Sequence, residues 1–198
     1  MWLSMATGSR IVQMPRSIVR VLCASRPLVG KPDSHAYTTE AKGDNTGELK
    51  DLREAFGYCA AQVRRYDYEG YLCTLQLPTH LRPAAFAIRA FNVETVQAVE
   101  STNEASIAKM RLLFWRDAVK GIYQGKPPQQ PVAQALSKVV EVARPTKRWF
   151  DRIVDTRSED LDRTAPPPNL AAVEAYAEGT SSAMLYLLLE ATGVRSRE

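Results

Sequence analysis

The chain has 198 residues, 45% of them hydrophobic and 24% charged, with a formal net charge of +4. That fits one medium globular domain. No stretch reaches the roughly 18 consecutive apolar residues of a membrane-spanning helix, the longest apolar run being Ala183 to Leu189. Three cysteines without paired spacing and two histidines, His35 and His80, argue against a disulfide framework, a zinc site or a histidine-based triad.

The charge is concentrated at the beginning. Arg10, Arg16, Arg20, Arg26 and Lys31 precede the first acid, Asp33, and are interspersed with Trp2, Leu3, Ile11, Val12, Ile18 and Val19. An arginine-rich, acid-poor, amphipathic stretch predicts a mitochondrial presequence over residues 1–38. A secretory signal needs an unbroken apolar core of about 7–15 residues, and Arg10, Arg16 and Arg20 interrupt every candidate. Without this segment the remainder is close to neutral, which argues against a nucleic-acid partner. Cys59 and Cys73 then remain, and are expected to be small buried apolar residues. Residues 39–47, polar and glycine-containing, read as a linker, and residues 48–198 as the folded domain.

From there a helical period dominates. Leu49, Leu52, Phe56, Cys59, Val63 and Tyr66 predict the first helix, and Gly70 with Tyr71–Leu77 a break closed by Pro78. A second helix is predicted from about Leu81 to Val99, with Pro83 tolerated in its first turn. Ser101-Thr-Asn-Glu104 has the pattern of a capping box for a third helix, ending before Gly125, Pro127 and Pro128. The apolar residues of that helix, Ile107 to Tyr123, cover most of its circumference, which predicts a central position. A fourth helix follows Pro131, a fifth spans about Thr146–Asp162, and Asn169 caps a sixth after Pro166-Pro167-Pro168. No hairpin signal interrupts them, so the fold class is all-α.

Few residues offer catalytic chemistry. Asp151 and Asp155, four apart on the fifth helix, could share a magnesium ion. Arg152, Arg157 and Arg163 are interleaved with them, however, in the manner of a solvated face with local ion pairs. Trp115 and Trp149 read as core rings rather than cofactor stackers.

Three segments carry a family resemblance. Phe86-Ala-Ile-Arg-Ala-Phe-Asn-Val-Glu-Thr-Val96, Met110-Arg-Leu-Leu-Phe-Trp-Arg-Asp-Ala-Val119 and Tyr176-Ala-Glu-Gly-Thr-Ser-Ser182 resemble, in order and spacing, motif helices of the squalene and phytoene synthases. The resemblance covers about Leu49 to Gly193 and implies the N-terminal part of an isoprenoid-synthase helical bundle. Condensing prenyl diphosphates requires magnesium held by carboxylates. Where active members carry acids on the first of these helices, this sequence has Asn92, Thr95 and Val96, and Glu94 is one register off. The resemblance therefore implies a degenerate metal motif, with no metal, no cofactor and no condensation. Arg89 stands where the family's diphosphate-facing arginine stands. With Arg116 and Lys120 it is expected to line a residual anion pocket, the alternative being a buried Arg116 paired with a carboxylate such as Glu94.

The neutralised string Arg89-Ala-Phe-Asn-Val-Glu94, with Arg65-Tyr-Asp-Tyr-Glu-Gly-Tyr-Leu-Cys73 and Thr146-Lys-Arg-Trp149, also resembles a mitochondrial branch of the superfamily that acts in building respiratory complex I. That implies a non-enzymatic role, early in biogenesis of a membrane-arm subunit, at the matrix side of the inner membrane. The partners would be complex I subunits or other assembly factors, with peripheral membrane association. The alternatives are a magnesium-dependent prenyl transferase and a peripheral protein that binds an isoprenoid or lipid. Active members continue into a second aspartate-rich motif and further helices, whereas this sequence stops at Glu198, the expectation for a shortened form. The apolar run Met184–Leu189 is accordingly expected to expose greasy surface.

Overall fold

The computed structural model describes residues 45–163 and 165–194, with side chains from residue 50 onward. The predicted presequence and all but the end of the predicted linker lie outside the described residues. Among these, the regular elements are helices: α1 (Asn45–Tyr66), α2 (Tyr68–Leu75), α3 (Arg82–Glu100), α4 (Ala105–Tyr123), α5 (Pro131–Ala143), α6 (Lys147–Asp160), α7 (Leu170–Ala177), a π-helical turn (Glu178–Ser182) and α8 (Ala183–Ala191). Helix α1 starts at Asn45, inside the stretch read as a linker. None of the helices is long and apolar enough to cross a membrane.

Local chemistry sets the boundaries. Gln130 accepts from the Ala133 amide at 2.8 Å and Pro131 opens α5. Asn169 caps α7 by accepting from the Ala172 amide at 2.9 Å, as expected of a side chain that competes for backbone donors. The predicted capping box is not formed. Ser101 instead ends α3, its hydroxyl donating to Gln97 O at 2.5 Å, and Thr102 Oγ1 accepts from the Glu104 amide ahead of α4. The predicted break at Gly70 is a helix. Asp67 accepts from the Gly70 amide at 3.0 Å and starts α2, and Thr74 donates to Gly70 O at 2.7 Å.

The centre of the bundle is α3, not α4. Helix α3 meets α1, α2, α4, α5, α6 and α8, and nearly every residue from Pro83 to Val93 is buried. Four of these are alanines, at 84, 85, 87 and 90, and small side chains let neighbouring helices approach on all sides. Helix α4 buries only the stripe of Ala108, Leu112, Trp115, Ala118, Val119 and Ile122. Met110, Leu113 and Phe114 point outward, Met110 at 65% exposure. In the core, Phe91 of α3 meets Trp115 of α4 and Phe150 of α6 edge to face, with ring centroids 5.5 and 5.2 Å apart. Trp149 lies at the rim, its Nε1 donating to Glu190 of α8 at 3.1 Å.

Candidate functional site

Helix α6 is the element on which the family-like segments converge. Phe150, Ile153, Val154 and Arg157 all face inward, at steps of three and four. A cation therefore stands on the apolar stripe. Arg157 is 7% exposed, not on a solvated face as its acidic neighbours suggested.

The Arg157 guanidinium lies across the Asn92–Thr95 turn of α3. Its Nη1 donates to Asn92 O at 3.0 Å and to Thr95 Oγ1, and its Nη2 donates to Asn92 Oδ1 at 2.8 Å. Thr95 is fully buried, and its hydroxyl proton is committed to the backbone oxygens of Phe91 and Asn92 at 3.0 and 2.9 Å. Its remaining lone pair faces the guanidinium. The Tyr176 phenol of α7 lies close enough to act on the charge of Arg157. Burial lowers the Arg157 pKa from its ordinary value, while Tyr176 and the Glu100 carboxylate favour the charged form. An arginine in such a setting keeps its proton. Asn92 and Thr95 thus share one partner, and Val96, half-buried on the same helix, offers no oxygen to a ligand.

This donor set does not suit magnesium, which prefers carboxylate oxygens. Three neutral oxygens already accept from a cation. Among the described residues, no group of three or more His, Cys, Asp and Glu side chains gathers to hold a metal ion.

Arg89 and Arg116 answer to separate carboxylates. Arg89 Nη1 donates to Asp67 Oδ2 at 2.9 Å, so Asp67 both caps α2 and holds α3. A Cβ on Gly70 would overlap both partners of this pair. Arg116 does pair with a carboxylate, Asp155 of α6 in place of Glu94, but it is about half exposed rather than buried. Lys120 is exposed. Glu94 accepts from the Tyr58 hydroxyl at 3.1 Å, and burial raises its pKa above the usual 4.5, partly offset by that hydrogen bond. Of the remaining acids, Asp151 pairs with Lys147 at 2.7 Å and Asp162 with Lys109. Cys59 is buried, its thiol pushed up to about 12 chiefly by burial. Cys73, in contrast to the expectation, is exposed, because α2 turns Gly70 and Thr74 inward and position 73 falls on the adjacent outer side.

A cleft of about 630 Å³ opens between α6 and the α7–π segment, lined by Arg148, Asp151, Arg152, Glu159, Arg163 and Tyr176 among others. At its floor Gly179 lies so close to Thr156 that a Cβ would overlap the threonine side chain. Arg157, which lies in none of the quoted family-like strings, is the site residue that sequence reading missed. Its signal was a position three and four residues after Val154 and Ile153, on the apolar face.

Comparison with known proteins agrees with this architecture. Residues 63–198 match the squalene/phytoene synthase family. The chain is 48% identical over 138 residues to the Homo sapiens protein named NADH dehydrogenase (ubiquinone) complex I, assembly factor 6, covering 70% of this chain and 41% of that protein. It is 40% identical over 187 residues to the Rattus norvegicus protein of that name, covering 94% and 50%. With the Drosophila melanogaster homolog it shares 41% identity over 144 residues, covering 70% and 42%. The chain thus spans half or less of the length of these curated relatives. Two solved structures share the fold. A dehydrosqualene synthase in complex with ligand superposes with a TM-score of 0.64 at 21% identity, over 72% of this chain and 49% of that one. Squalene synthase HpnC from Alicyclobacillus acidocaldarius gives 0.66 at 17%, over 75% and 55%. With its matching residues taking in all three motif helices and its bundle the all-α isoprenoid-synthase type, the chain belongs to the squalene/phytoene synthase family.

Proposed function

We propose that this chain works in the assembly of respiratory complex I and does not condense prenyl diphosphates. The observation that carries the assembly role is the 40–48% identity to proteins named complex I assembly factor 6. The loss of catalysis is supported by Asn92, Thr95 and Val96, which place an amide, a hydroxyl and a methyl-bearing side chain where magnesium chemistry requires carboxylates. In this reading residues 1–38 direct import, and the domain acts early on a membrane-arm subunit, at the matrix side of the inner membrane and in peripheral association with it. Its partners are complex I subunits or other assembly factors.

The test is complementation. In cells lacking the endogenous complex I assembly factor 6, expression of the chain restores the complex I band on native gels, and the tagged chain co-purifies with complex I intermediates. A chain that enters mitochondria, is stable there and restores nothing would sink the assembly role. Magnesium-dependent release of pyrophosphate from farnesyl or geranylgeranyl diphosphate by the purified chain would establish the prenyl-transferase alternative.

A further inference from the structure

We propose that Arg157 is a resident cation, which occupies the oxygen donors of the degenerate motif and makes the junction of α3, α6 and α7 independent of divalent metal. The argument starts from charge. A family helix designed to hold magnesium gathers negative charge that only a cation can neutralise. Exchanging carboxylates for Asn92 and Thr95 removes the negative charge but leaves polar oxygens in a buried place, where unpaired acceptors cost stability. The guanidinium satisfies Asn92 O, Asn92 Oδ1 and Thr95 Oγ1 from one planar group, and such a fork is geometrically suited to several acceptors at once. The Tyr176 phenol of the third family-like segment favours its charge, and the π turn of that segment packs against α6, so the first and third segments meet at this helix. The second is tied to the same helix by Arg116 and Asp155, two residues before Arg157. The protein thereby carries as a covalent part of α6 the positive charge that an active member borrows from solution. The inference stands on this geometry and on family membership, not on the complex I role.

The deciding variant is Asn92→Asp, which restores one acid in full view of Arg157. If the guanidinium occupies the site, the new carboxylate meets a buried cation. The full-length variant then melts several degrees higher than the parent chain, by the same amount in EDTA and in millimolar Mg²⁺. Mn²⁺ titrated against it gives the same free-ion electron paramagnetic resonance signal as against the parent. In an Arg157→Gln background the sign reverses, and Asn92→Asp lowers the melting temperature in EDTA because its carboxylate is buried without a partner. Stabilisation of Asn92→Asp that appears only with Mg²⁺, or Mn²⁺ immobilised by that single variant, would overturn the proposal. So would a lower melting temperature of Asn92→Asp in EDTA. Should Arg157→Gln fail to fold, these readings on Asn92→Asp alone still decide the matter.

Discussion

At the scale of single residues, the removal of water decides which groups matter. Glu94 sits on the side of α3 away from Asn92, half-buried and accepting from Tyr58. Burial penalises its charged form, and the Tyr58 hydrogen bond recovers only part of that penalty. A carboxyl whose folded pKa is raised helps the fold most when protonated. Its contribution is therefore fully present below the unfolded value and is lost as pH rises through the folded one. Glu94→Gln keeps the shape and removes the titration. Its melting temperature relative to the parent chain should rise between pH 4 and pH 7.5, and a constant difference across that range would count against a penalised carboxylate. The same balance governed what could be read from the sequence. Asn92, Thr95 and Val96 stand out as departures from an acid-rich pattern because the family resemblance says where acids would stand and chemistry says what magnesium requires of them. Arg157 does not, because its partners lie 62 and 65 positions away and flanking acids mask its place on an apolar stripe. Arg89 and Arg116 were recognised as charges worth explaining, but their carboxylates are fixed by how α2 and α6 dock, which spacing does not reveal.

At the scale of elements, helix positions were largely legible, while the roles of individual helices were not. The 3.6-residue period and the stops at proline located α3, α5 and α6 to within a residue or two, and Asn169 was found as the cap of α7. The centre was misassigned because apolar circumference suggests a buried helix, whereas close approach on all sides depends on small side chains, which α3 has. The missed α2 turns on Gly70, which as a helix breaker by propensity implied a gap. Its absent side chain instead makes room for the Asp67–Arg89 pair. Two substitutions separate these roles. Gly57 lies in α1 with nothing near its missing Cβ, so Gly57→Ala should stabilise by about 0.5–1 kcal/mol through helix propensity. Gly70→Ala gains the same propensity but displaces the ion pair and should destabilise by about 1–3 kcal/mol. Urea denaturation of the two variants gives midpoints on opposite sides of the parent chain. Equal shifts would mean that Gly70 has no packing role.

At the scale of the whole molecule, the apolar surface is unevenly covered. The last helical stretch was expected to expose greasy surface, and it does so on one side only. Ala183, Met184, Leu187 and Ala191 face the bundle, while Leu185 and Leu189 are each 48% exposed. Helix α7 is also largely uncovered. None of its residues is buried, and Leu170 is 71% exposed although the helix is predominantly apolar. At eight residues it is too short to be stable alone, so it is held by Asn169 at one end and by the π turn against α6 at the other. Exposed apolar side chains of this kind mark either an interaction surface or an aggregation liability. Full-length chain should therefore enhance the fluorescence of anilinonaphthalene sulfonate while folded, and its apparent mass should grow with concentration. Replacing both Leu185 and Leu189 with Gln should abolish most of that dye signal and leave the melting temperature nearly unchanged, because the leucines already meet solvent. Leu187→Ala, by contrast, empties a fully buried position and should cost about 2–5 kcal/mol. If the double Gln variant instead loses as much stability as Leu187→Ala, the two leucines are covered in the chain as it exists in solution. They would then belong to an interface already satisfied between copies rather than an open one.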